Sequence, residues 1–219
     1  MTAASVPADA LVSRIARALS PLLAAALFAI AWIDPSQLSH ATIHSLRATM
    51  VVEFLAIHSG MFLTVLLLRA AKPGKLLTSV LMMLPLLAIY LVSAFGLSRQ
   101  VHAWWPLAAS AILLCGRVAP LFIAEPARRD AATWRAFVEW GVGFAVFMAS
   151  AAIAQHAGLP PGALATLDPD AYPIVGWKNS LTMTQEIQWG ALHFAALAAV
   201  ALLVPYERAG LFLKSHAKT

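Results

Sequence analysis

The sequence predicts an all-α integral membrane protein, a bundle of six transmembrane helices with both termini in the cytoplasm. Three observations carry that expectation. Of 219 residues, 61% are hydrophobic and 11% are charged, whereas an ordinary soluble domain carries roughly 25% charged residues. The apolar residues fall into long runs, and about 20 of them at about 1.5 Å each cross a hydrocarbon core of about 30 Å. Lys and Arg gather at the ends of those runs, on alternating sides. Six such runs with short connections occupy most of the chain, so one domain is expected over residues 1–219.

The first span covers residues 18–33, between Arg17 and Asp34. Ala29-Ile30-Ala31 resembles a small-x-small cleavage site, but Arg14 can snorkel and lengthen the apolar stretch. The segment is therefore read as a retained helix. The second span, 48–68, lies between Arg47 and Arg69 and contains Glu53, His58, Ser59 and Gly60. The third, 76–98, holds no charge between Lys75 and Arg99 and carries Pro85 near its middle. A proline there removes a backbone hydrogen bond and favours a kink. The fourth, 103–124, opens on Trp104 and Trp105, an interfacial aromatic pair, and contains Arg117. The fifth, 136–155, contains Glu139, and the sixth, 186–205, contains His193.

The cations test this division. Arg14, Arg17, Arg69, Lys72, Lys75, Arg128, Arg129, Arg135, Arg208, Lys214 and Lys218 fall on one side; Arg47, Arg99 and Lys178 fall on the other. The positive-inside rule places the first group, and with it both termini, in the cytoplasm of a multi-pass inner-membrane protein. The net charge of +5 thus reads as a topology signal, and the bilayer, not nucleic acid, is the expected partner. A homo-oligomer or a partner membrane subunit is compatible with this pattern. The single cysteine, Cys115, lies inside an apolar run and excludes an intrachain disulfide framework.

The longest connection, residues 156–185, falls on the external side. It carries Tyr172-Pro173-Ile174-Val175 and Trp177, apolar enough to lie on the bundle as a lid or to sit at the interface. Two ridges of small residues suggest close helix contacts: Gly141, Ala145 and Ala149 on the fifth span, and Ala191, Ala195 and Ala199 on the sixth.

Ionisable residues at membrane depth cost at least about 2.5 kcal/mol on insertion scales, so each calls for a partner. Arg117 and Glu139 stand equally far from the turn joining the fourth and fifth spans and are expected to form a structural ion pair. His58 and His193 lie near the middle of the second and sixth spans. Two facing imidazoles suit proton handling near neutral pH, a transition metal ion, or axial ligation of haem b. His40 and His44, four apart, are weaker candidates for the same metal or haem role. Glu53 and Glu186 lie near the outer ends of the second and sixth spans. Together with His58 and His193 they outline an external polar pocket between those spans, a path for a small solute, proton or metal ion. The alternatives are a redox subunit holding haem between His58 and His193, and a scaffold or assembly subunit whose polar groups only fix packing. No zincin, nucleophile-elbow, phosphate-loop or retinal-lysine motif is present.

Overall fold

The computed structural model describes residues 8–70, 76–118, 126–172, 174 and 181–203. Among these residues the chain is all-helical, with six helices and no strands: α1 (Ala8–Ile33), α2 (His40–Ala70), α3 (Leu76–Gln100), α4 (Trp105–Val118), α5 (Pro126–His156) and α6 (Met183–Leu203). Four segments are long and apolar enough to cross a membrane, namely Arg14–Ile33, Leu77–Gln100, Phe137–His156 and Met183–Leu203. The outer surface agrees with that use. Leu77, Val92, Ile112 and Leu203 expose between 69% and 75% of their surface, a loss in water but not against lipid tails.

Several helices begin earlier than their apolar runs, because local hydrogen bonding sets the helix ends. Ser39 Oγ accepts the Thr42 N–H at 3.1 Å, so α2 starts at His40 and not near 48. Its 31 residues extend about 46 Å, beyond a hydrocarbon core. α5 is helical over its described part from Pro126, ahead of the apolar run expected from 136. At α6, Thr182 and Gln185 cap each other: the Gln185 N–H donates to Thr182 Oγ1 at 3.2 Å, and the Thr182 N–H donates to Gln185 Oε1 at 3.0 Å. Between α1 and α2, hydrogen bonds from the Ser36 and Gln37 side chains hold the Asp34 carboxyl below the usual carboxylate range.

α2 is central and packs on α3, α4, α5 and α6, while α1 packs most extensively on α6. The α1–α6 contact is close because Gly190 has no side chain. A Cβ there would lie 2.2 Å from the Phe28 ring, which is itself fully buried and stacks on Phe194 at 5.6 Å. Of the two expected ridges of small residues, Ala191 is buried in the core, but the other members do not bring helices together here. Ala145, Ala149, Ala195 and Ala199 are exposed, and a Cβ on Gly141 would meet open space. Small residues at i, i+4 permit close approach but do not supply a partner.

The connection between α5 and α6 folds back onto the bundle over its described part. Pro160 O accepts hydrogen bonds from Trp32 Nε1 at 2.8 Å and from Gln188 Nε2 at 2.9 Å, which uses both its lone pairs. Gly162, with φ +63°, passes so close to the Trp32 carbonyl that a Cβ would sit 2.2 Å from its oxygen. Leu164 and Tyr172 are buried beneath this segment. Trp177 lies outside the described residues.

Candidate functional site, a polar seam between α2 and α6

α2 and α6 meet through two polar pairs. Toward the helix starts, Arg47 Nε donates to Glu186 Oε2 at 2.7 Å, and an Arg47 Nη1 hydrogen bond reaches the carbonyl of Tyr172 in the α5–α6 connection. Further along, His193 Nε2 stands 3.3 Å from Glu53 Oε1. Arg47 to Glu53 is six residues and Glu186 to His193 is seven, rises of about 9 and about 10 Å. Equal steps in the same direction mean that α2 and α6 run parallel along this seam.

The inner pair is asymmetric. His193 has no solvent exposure, whereas the Glu53 side chain is 23% accessible. His193 Nδ1 is buried without a hydrogen-bond partner among the described residues, a costly arrangement for a polar atom. Phe147 and Phe194 stand edge-on to the imidazole, at centroid distances of 5.4 and 5.0 Å. Phe147 is fixed in turn by the Trp189 ring, whose Nε1 donates to the Phe147 carbonyl at 3.1 Å. The histidine is thus held in a rigid aromatic box with one ring nitrogen turned to a carboxylate.

His58 is placed differently. Its Nδ1 lies 2.7 Å from the Phe54 carbonyl one turn back; a carbonyl only accepts, so Nδ1 carries the hydrogen and Nε2 is left as the acceptor. The ring lies against Phe54 at 3.9 Å, and Phe54 touches Phe147 at 6.1 Å. Contacts from His58 to His193 therefore pass through two phenyl rings. His40 is exposed and stacks on Tyr172 at 4.1 Å, while His44, on the following turn, is half-buried. Among the described residues no three His, Cys, Asp or Glu side chains converge as a metal shell.

Glu139 lines a cavity of about 220 Å³ with Arg17, at the junction of α1, α5 and α6. The Arg117 side chain lies outside the described residues, although its backbone belongs to α4. α4 packs on α2 and α3, and α5 on α2 and α6.

Of the residues singled out from sequence, the fold brings Glu53 to His193 and sets Glu186 in the same seam. Arg47 escaped that selection because its type and position matched a topology cation. The signal was its place six residues before Glu53, inside a segment able to continue the helix outward. No protein-family model, no curated protein and no solved structure matches the chain.

Proposed function

We propose that this chain is a six-span inner-membrane protein, with both termini cytoplasmic, that handles protons or a small protonatable solute through the external end of the α2–α6 seam. The carrying observation is the Glu53–His193 pair, which joins a partly accessible carboxylate to an imidazole whose other nitrogen is buried and unsatisfied. A carboxylate next to an imidazole can exchange a proton without either group leaving its helix. The unsatisfied Nδ1 offers the next site, for a water, a proton or a polar group of a solute.

The outer pair has the other role. Arg47 bridges Glu186 and the Tyr172 carbonyl, so it staples α2, α6 and the external connection together above the inner pair. The scaffold reading applies to this half of the seam. The haem reading has less support, because Phe147 and Phe194 enclose His193 and its Nε2 faces Glu53. The parallel run of α2 and α6 requires an even number of crossings from the start of one to the start of the other; six spans meet that condition, and so do four without α2 and α4, whereas loss of α4 alone does not.

Purified protein in liposomes loaded with a fluorescent pH indicator tests the proposal. After an imposed pH step, with potassium and valinomycin clamping the potential, wild-type vesicles are expected to equilibrate faster than empty ones. Glu53→Gln and His193→Ala should each slow the protein-dependent rate at least about a hundredfold, the low end of the range for loss of a positioned acid or base. Wild-type vesicles no faster than empty ones, or variants as fast as wild type, would overturn the proton reading.

A further inference from the structure

A second site lies on the opposite side of α6. The connection between α5 and α6, the end of α5 and the start of α6 line an open cavity of about 370 Å³, within the usual range of about 300–1,000 Å³ for small-molecule pockets. Its described lining contains no charged side chain. Leu159, Leu164 and Met183 form apolar wall, and Thr184, Gln185 and Gln188 supply neutral polar groups.

Gln188 sets the chemistry. It is 2% exposed, and its Nε2 donates to the Pro160 carbonyl. That bond fixes the orientation of the amide, because a carbonyl cannot donate. Oε1 has no hydrogen-bond partner among the described residues and belongs to a side chain lining the cavity. The wall that holds it is firm, since Trp32 and Gln188 both anchor Pro160 and Gly162 rests on the Trp32 backbone. An unpartnered acceptor on a mostly buried side chain, in a pocket whose described lining is free of charge, favours a ligand that brings a donor and no charge, because a charged ligand would give up hydration for neutral partners only.

We infer that this cavity binds an uncharged small molecule with an apolar body and one hydroxyl or amide donor, the donor meeting Gln188 Oε1. The site is separate from the Glu53–His193 pair and stands or falls independently of it.

The test uses photolabelling of the full chain in lipid nanodiscs with 4-(hydroxymethyl)benzophenone, an uncharged aromatic alcohol, mapped by peptide mass spectrometry. Saturable label is expected on residues 157–169 and at the start of α6, around Met183. The carboxylate analogue 4-benzoylbenzoate should label there at least about tenfold less, the equivalent of about 1.4 kcal/mol. Ala165→Trp, at an exposed position on the cavity wall, should abolish the label. Gln188→Leu should reduce labelling by the alcohol but not by 4-methylbenzophenone, which has no donor. Equal labelling by the carboxylate, label spread over the lipid-facing helix surfaces, or label unaffected by Ala165→Trp would each overturn the inference. If Gln188→Leu does not fold, the carboxylate and Ala165→Trp arms still decide it.

Discussion

At the scale of single residues, Arg47 shows how one side chain can satisfy two readings of a sequence. Counted with Arg99 and Lys178 it is one of the few external cations; in the fold it bonds Glu186, with side-chain exposures of 13% and 4% for the two partners. Desolvating both groups is expensive, and their attraction offsets that cost only while both are present. Arg47→Met leaves Glu186 buried without its guanidinium and is expected to cost about 3–5 kcal/mol. The double change Arg47→Met with Glu186→Met should recover most of that loss, because no buried charge of the pair then remains. Thermal unfolding in detergent measures both; a double variant as unstable as the single would show that the pair contributes through something other than mutual compensation. The same reasoning explains which site residues were legible. Glu53, Glu186 and His193 stand out as polar groups in or beside apolar runs, but type and depth say nothing of azimuth. That Glu53 rather than His58 meets His193 follows from rotation about α2, and only packing fixes that rotation.

At the scale of helices, the positions of the elements could be read from the sequence better than their ends and their contacts. Cations bracket the apolar runs because charge leaves the hydrocarbon, yet helices continue past that boundary wherever caps allow. Ser39 and the Thr182/Gln185 pair carried those signals. Helix contacts were harder, because the small-residue repeats, Ala191 apart, do not face the core and the decisive small residue, Gly190, belongs to no such repeat. A single glycine opposite a bulky ring makes a knob-and-notch contact that neither helix displays alone. Gly190→Ala should therefore destabilise the protein by about 1–3 kcal/mol through overpacking, since the fully buried Phe28 ring has no room to withdraw. Combining it with Phe28→Leu should restore part of the loss. A Gly190→Ala variant with wild-type thermal stability would mean that the α1–α6 contact yields more readily than its geometry indicates.

At the scale of the whole molecule, the open question is whether α4 crosses the membrane, and the seam bears on it. The described part of α4 is 14 residues, about 21 Å of helix, shorter than a hydrocarbon core of about 30 Å. If α2, α3 and α5 crossed and α4 did not, three crossings would separate the start of α2 from the start of α6, and those helices would run in opposite directions. Arg47 with Glu186 and Glu53 with His193 instead step along both helices in the same direction. Single cysteines in a Cys115→Ser background convert this parity into a measurement. Ala157→Cys follows α5 and Lys72→Cys follows α2, so three crossings separate them if α4 spans and two if it does not. With an impermeant maleimide on intact spheroplasts, Ala157→Cys is expected to label at once and Lys72→Cys only after permeabilisation. Labelling of both from one side would remove α4 from the spans and would require the α2–α6 pairing to be redrawn; the reverse pattern would keep six spans but place both termini outside.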